Sequence, residues 1–398
     1  ALGATVVPEF ERLEQAEDAE LLISSPGVPW EHEALVAARA RDIETFGTLE
    51  LAWRLCASPV IAVTGTNGKG TVCRLLSDMF AEARVEHILA GNIGLPLADE
   101  LGLATPSTPA IVEVSSFQLE TIVQFRPRIA ALLNLAPDHL DRHRSFAAYA
   151  TAKARIFENQ RPEDLAVMNN DDEVARQLSE DTLAQKRRIS LVTDQLDAGV
   201  TGGEFFVDIH GERQTICPVT DLSVSGSHHM MNALFAAVIA RAAGVGVDAI
   251  ATAMRSYETP KDHMERVAEI GGVEFINDSK ASNPASAVAD LGAMERPFVA
   301  IVGGKDKGAD FSELGALLSD RARAVVLIGE AADRIEEAMG GGAERAETLS
   351  EAVALGYELS KPGGAVIMAP ACSSFDMFRN YEHRGDEFRE AVAALERE

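Results

Sequence analysis

Short apolar runs bounded by glycine, proline, asparagine or aspartate alternate along this chain with stretches in which apolar residues recur at helical spacing. Such alternation predicts a parallel α/β architecture. The clearest strands are expected at Val60–Val63, Ala110–Val114, Ile129–Leu135, Phe298–Val302, Ala324–Ile328 and Ala365–Met368. Behind the first of these, Val72, Leu75, Leu76, Met79 and Phe80 repeat at helical spacing, so that a strand, a glycine turn and a helix follow one another directly. That is the outline of a nucleotide-binding unit. A proline within the polar stretch Tyr257–Lys261 marks a seam, and the run Val273–Ile276 opens a second sheet beyond it. The segment Ala1–Gly47 offers one strand, Leu21–Ile23, ending in Ser24-Ser25-Pro26-Gly27, and then a helical stretch. It is too short for a whole dinucleotide-type domain.

Composition narrows the picture. With 398 residues, 46% of them hydrophobic, the chain can bury two or three cores. No apolar run approaches the roughly 20 residues that span a bilayer, and Ala1–Phe10 lack a basic start followed by an apolar stretch. A cytoplasmic protein without membrane insertion is therefore expected. Cys56, Cys73, Cys217 and Cys372 are scattered without a Cys-x-x-Cys pair, which predicts buried free thiols and not a zinc ribbon. A formal charge of -26 repels nucleic acid, so any polyanion bound here must meet a locally positive site set in an unfavourable global field.

Between the strand at Val60 and its helix stands Thr64-Gly65-Thr66-Asn67-Gly68-Lys69-Gly70-Thr71. The glycines let backbone N–H groups turn toward phosphate oxygens, the helix adds its positive end, and Lys69 neutralises the β- and γ-phosphates. ATP is the expected ligand. The loop departs from the general phosphate loop, since Val63 replaces its first glycine and Gly70 its metal-binding hydroxyl; Thr71 is the substitute expected for that hydroxyl. Glu113 lies in the middle of an apolar run, where burial would demand a partner such as Mg²⁺ unless it stands at the strand's exposed end. His139, in Asn134-Leu135-Ala136-Pro137-Asp138-His139-Leu140-Asp141, follows the next strand at a C-terminal edge, where α/β sheets place ligands, although a lone loop histidine is more often structural. Lys153, on the helical stretch Tyr149–Phe157, reads by itself as a solvated charge.

The Gly-Thr-Asn-Gly-Lys loop resembles that of the Mur ligases and their relative folylpolyglutamate synthase. Further along, Ser25–Pro29, Gly91–Pro96, Glu113–Glu120, Asn277–Asn283 and Pro370–Asp376 look like Mur ligase signatures in the same order, over nearly the whole chain. The resemblance implies three α/β parts: a truncated N-terminal Rossmann-like domain at 1–47 for the uridine nucleotide, a central P-loop ATPase-like parallel-sheet domain at 48–258, and a C-terminal Rossmann-like domain at 259–398 for the amino acid. It implies an ATP-dependent ligase, acting as a monomer, that adds D-glutamate to UDP-N-acetylmuramoyl-L-alanine through an acyl phosphate. Two Mg²⁺ ions are implied, held by Thr71, Glu113, His139 and a carbamylated Lys153. Gly65–Thr71, Asn232, Asp278 and Lys280 are implied for the nucleotide. Asn92, Ser115, Gln118 and His139 are implied for the muramoyl-alanine end, with Gly27 near the uracil, and Ser282, Lys307, Ser374, Phe375 and Tyr381 for the incoming amino acid. Lys69, Glu113, His139, Lys153 and Lys307 would carry the catalysis.

Three departures stand beside the resemblance. Where the family reads G-x-H-N-x-x-N, this chain has Gly226-Ser227-His228-His229-Met230-Met231-Asn232, so His229 replaces an adenine-contacting asparagine. Where it reads His-Arg-x-Glu, this chain has Asp262-His263-Met264-Glu265, so His263 replaces an ATP-binding arginine. The chain is also expected to begin inside the first domain, after its opening strand and glycine turn, and as written to bind UDP poorly. A folylpolyglutamate synthase-like ligase, favoured by Gly70, and a non-catalytic nucleotide-binding module, favoured by the two histidines, are the alternatives.

Overall fold

The computed structural model describes residues 19–209, 211–222, 226–258, 261–294 and 296–397. Residues 1–18, which include the Ala1–Phe10 stretch and the start of the expected 1–47 segment, lie outside the described residues, as do Thr259 and Pro260 of the expected seam. The chain forms two compact units. One comprises residues 1–135, 147–221 and 231–255; the other comprises 136–146, 222–230 and 256–398.

In the first unit β1 (Leu21–Ser24) and β2 (Glu44–Gly47) pair in parallel. A nine-stranded sheet then contains β3 (Val60–Thr64), β4 (Ile88–Gly91), β5 (Ala110–Glu113), β6 (Ile129–Leu132), β7 (Leu165–Asn169), β8 (Gln185–Ile189), β9 (Ala198–Thr201), β10 (Glu204–Ile209) and β11 (Glu212–Pro218). Its order is β11-β10-β9-β8-β7-β6-β3-β5-β4, parallel from β4 to β9 and antiparallel where β10 and β11 extend it. Every residue of β3, β5 and β6 is buried, which is why these strands read as continuous apolar runs instead of alternating ones. The helix Lys69–Glu82 buries Val72, Leu75, Leu76, Met79 and Phe80, the face its spacing predicts. β6 stops at Leu132, short of the expected Leu135, because Asn134 leaves the ladder to bond the glycine loop.

The second unit is built on β12 (Glu265–Ile270), β13 (Val273–Asn277), β14 (Phe298–Gly303), β15 (Ala322–Ile328), β16 (Glu344–Arg345) and β17 (Gly364–Met368), in the order β12-β13-β17-β14-β15-β16. Only the β12–β13 pair is antiparallel. Successive residues of the central strands feed two cores: Phe298, Ala300 and Val302 one, Val299 and Ile301 the other. At the end of β14, Gly303 has φ 130°, and a Cβ there would stand 1.9 Å from the Ile328 carbonyl oxygen. No other residue fits.

Candidate functional site

Strand register assembles the centre of the first unit. β3 lies between β5 and β6, with Val63 opposite Glu113 and Thr64 opposite Leu132. The glycine loop, Glu113 and Asn134 therefore leave the sheet at one C-terminal edge, the place where parallel sheets bind ligands. Asn134 fixes the loop: its carbonyl accepts from Thr66 N–H at 3.0 Å, its Oδ1 from Asn67 N–H at 2.8 Å, and its Nδ2 donates to the Asn67 carbonyl at 3.1 Å. Gly68 caps the following helix at φ 81°, and a Cβ on it would meet Asn232 Oδ1 at 2.3 Å. Asn232 is thus brought against the loop. Lys69 curls over it, donating to the Gly65 carbonyl at 3.0 Å and the Thr66 carbonyl at 2.8 Å, and Thr71 is buried in the first helical turn. Gly70 is buried in the same turn.

Glu113 is buried, and Asn92 Nδ2 donates to its Oε1 at 2.9 Å. The exposed-end reading of Glu113 is thereby excluded, and two expected site residues are in contact. Ser115 and Gln118 form a reciprocal capping box on the short helix Ser116–Leu119: Gln118 Oε1 accepts from Ser115 N–H at 2.8 Å and Ser115 Oγ from Gln118 N–H at 3.3 Å. Gly27 sits in the turn after β1. Lys153 corrects the reading of its own helix. It is buried, not solvated; its Nζ donates to the Gly65 carbonyl at 2.7 Å and lies 4.9 Å from the Tyr149 ring centroid. Tyr149 in turn shares a 3.0 Å hydrogen bond with Thr66. A loop of N–H groups at a helix start with a lysine fits the phosphates of ATP, and a buried carboxylate with a threonine hydroxyl fits Mg²⁺ as hard oxygen donors.

His139 belongs to the second unit, whereas Thr71, Glu113 and Lys153 belong to the first. His139 holds φ 53° at the start of the short helix Leu140–His143, and its N–H donates to Asp138 Oδ1 at 2.8 Å. Lys307 Nζ lies 3.2 Å from the same oxygen. Burial acts to raise the Asp138 carboxyl, but Lys307 and His139 outweigh it and hold it below the ordinary range. Asp138, His139, Ser282, Lys307 and Phe311 line one pocket of this unit. Ser374, which is buried, and Phe375 and Tyr381, which are exposed, do not line it. Asp278 is fully buried after β13, two residues before Lys280.

Four supporting residues carry little or no signal in the sequence. Asn134 and Asp138 stand inside the segment singled out for His139 alone. Tyr149 lies one helical turn before Lys153, a spacing that puts both on one face. Arg384 carries no sequence signal. It is fully buried, donates to Ser279 Oγ, the Ser279 carbonyl and the Cys372 carbonyl, and so ties the segment after β13 to the one after β17. Burial lowers its guanidinium to about 10.

The chain is similar to known proteins along most of its length. Residues 63–240 match the Mur ligase middle domain, and residues 264–372 match the Mur ligase glutamate ligase domain. The UDP-N-acetylmuramoylalanine--D-glutamate ligase of Pelotomaculum thermopropionicum is 40% identical over 389 residues, covering 96% of this chain and 85% of the relative. Its namesake from Salinibacter ruber is 39% identical over 395 residues, covering 96% and 86%. Among solved structures, MurF from Acinetobacter baumannii superposes with a TM-score of 0.67 at 20% identity, covering 85% of this chain and 78% of that one. FolC from E. coli in complex with ADP gives 0.61 at 18% identity, covering 88% and 93%. At those identities the solved structures establish the fold alone.

Proposed function

Because the chain belongs to the Mur ligase family, we propose that it joins D-glutamate to UDP-N-acetylmuramoyl-L-alanine at the expense of ATP, a step of cytoplasmic peptidoglycan precursor synthesis. One observation carries the reading: β5, β3 and β6 release Glu113, the Lys69 loop and Asn134 at a single sheet edge. A triphosphate and a carboxylic acid held there face the same positive and metal-binding groups.

The alanyl carboxylate attacks the γ-phosphorus and ADP leaves, giving an acyl phosphate. The amine of D-glutamate then attacks the acyl carbon, a tetrahedral intermediate collapses, and phosphate departs. Mg²⁺, when bound, offsets the charge gathered on the phosphoryl oxygens. The loop N–H groups between Gly65 and Thr71 orient the phosphates, and Lys69, released from its own loop carbonyls, follows the transferring group. Glu113 and Thr71 would supply hard oxygen donors for the ion, with Asn92 holding the Glu113 carboxylate in place. Burial of Lys153 beside Gly65 supports its carbamylation, which would turn an ammonium into an anionic oxygen donor and provide for a second ion. Asn92, Ser115, Gln118 and His139 would contact the muramoyl-alanine end and Gly27 the uracil. Asn232, Asp278 and Lys280 would contact the nucleotide. Ser282, Lys307, Ser374, Phe375 and Tyr381 would select D-glutamate, Lys307 exchanging Asp138 for the side-chain carboxylate. The division into parts 1–47, 48–258 and 259–398 and a monomeric state belong to the same proposal.

The test is ADP release with an amino-acid panel, in the presence of UDP-N-acetylmuramoyl-L-alanine and ATP. Turnover is expected only when acceptor and D-glutamate are both present. Equal use of L-glutamate or lysine, or brisk ATP hydrolysis with neither substrate, would overturn it.

A further inference from the structure

The second unit gathers three histidines and two aspartates, of which Asp278 alone is given a part above, at the nucleotide. His228 and His229 stand in the first turn of the helix Ser227–Ala242, and His263 precedes β12. Asp278 follows β13, and Asp290 lies on the helix Pro284–Gly292. One ligand atom from each of His228, His229 and Asp290 lies within 4.8 Å of the other two, and the same holds for His263, Asp278 and Asp290. Asp290 is common to both groups. The rings are close as well, with centroids 4.1 Å apart for His228 and His229 and 5.5 Å apart for His229 and His263.

Hydrogen bonding holds one oxygen of each carboxylate. Asp278 Oδ1 accepts the Met264 N–H at 3.1 Å, whereas its Oδ2 is buried without a partner. Asp290 Oδ2 accepts from Ser286 Oγ at 3.4 Å, whereas its Oδ1 faces His228 in the cluster. His229 Nδ1 and His263 Nδ1 are buried without a hydrogen bond. Buried polar atoms are rarely left so, and two such imidazole nitrogens beside a pair of buried carboxylates call for a common partner. His228 Nε2 and Asp290 Oδ1 lie 3.0 Å apart. Two ligands about 2.0–2.1 Å from one tetrahedral ion stand roughly 3.3 Å apart, so the spacing suits an ion between them. The outer oxygens anchored by Met264 and Ser286 supply the orientation that metal-bound carboxylates need.

Charge leads to the same partner. Burial, joined by Asp290, pushes the Asp278 carboxyl well above its ordinary range; burial opposes ionisation of Asp290 too, but His228 and His263 hold it low. Burial and the neighbouring histidines bring His229 down to about 3, and burial, against the pull of Asp290, brings His263 to about 4. Neutral imidazole is the metal-binding form, and a divalent ion neutralises two carboxylates that cannot both ionise alone.

We propose that one divalent transition-metal ion of the zinc type binds in this cluster, with Asp290, common to the His228–His229 and His263–Asp278 groups, as its fixed ligand. Imidazole nitrogen beside carboxylate oxygen favours Zn²⁺ over Mg²⁺, which prefers oxygen donors and retains water. The site shares none of the Mg²⁺ donors Thr71, Glu113, His139 and Lys153.

The experiment uses the full chain without ATP or substrates, in excess Mg²⁺, with Zn²⁺ added and then dialysed. Metal content and Co²⁺ visible absorption are read for the wild type, for the double variant H229N/H263R and for D290N. The wild type should retain one Zn²⁺ per chain and show the intense bands of low-coordinate Co²⁺. Both variants should bind zinc about tenfold more weakly or worse and lose those bands while keeping their circular dichroism. If one variant misfolds, the other decides. Wild-type protein that keeps no zinc against Mg²⁺, or a folded variant that keeps it unchanged, would overturn the site. Failure of the ligase reading shows separately, as absence of ADP release whatever the zinc content.

Discussion

Glu113 poses its question in the sequence and receives its answer from the strand opposite. A carboxylate in an apolar run must be paired, and Asn92, from the neighbouring strand's end, donates to it at 2.9 Å. Glu113→Gln retains an oxygen for Asn92 but removes the charge that a metal ion needs. Ligase turnover should fall by roughly a hundredfold or more, as for loss of other charge-stabilising groups, with little change in melting temperature. Equal turnover in the variant would exclude Glu113 from the site. Cysteine follows environment in the same way. Burial raises the thiol of Cys217 to about 11 and that of Cys372 to about 12, so both are neutral at pH 8; Cys73 is buried and Cys56 half-buried. Iodoacetamide at that pH should label Cys56 first in the native protein, as peptide mass spectrometry would show, and early labelling of Cys372 would contradict its burial.

At the scale of elements, the strand, loop and helix from Val60 to Glu82 is the part in which local pattern and tertiary role coincide. Gly68 is its hinge, combining a left-handed φ of 81° with contact to Asn232. Gly68→Ala should destabilise the first unit by about 1–3 kcal/mol in denaturant unfolding and weaken nucleotide binding, since both the strain and the contact fall on the loop. Leu76, fully buried on the same helix, tests packing apart from chemistry. Leu76→Ala should cost about 2–5 kcal/mol, with nucleotide affinity retained in the fraction that stays folded. Local pattern was a poorer guide elsewhere. The run Ile129–Leu135 is uniformly apolar up to Leu133, and nothing in it announces that Asn134 will leave the strand to bond Asn67. Lys153 looked solvated because its helix is judged by its own periodicity, while the Gly65 carbonyl that receives it lies in a distant segment.

For the whole molecule, a net charge of -26 sets the field through which every anionic substrate arrives. Nucleotide association should therefore speed up modestly as salt rises from low to physiological ionic strength, because screening removes repulsion before it weakens the short-range contacts of the loop. Stopped-flow association rates that fall steeply with salt would show that the site's own positive field dominates. The sequence by itself determined the α/β class, the glycine loop between strand and helix, the order of the family motifs and the residues that carry charge, since each depends on local spacing and side-chain chemistry. Tertiary structure alone decided which of those residues meet. Strand register brought Glu113 and Asn134 beside the loop, and a helix from later in the chain buried Lys153 there. The fold of the second unit placed Asp290 against His228, a pair separated by sixty-odd residues with no sequence signature linking them. Contacts between distant segments depend on packing and register, and single-chain periodicity holds no record of either.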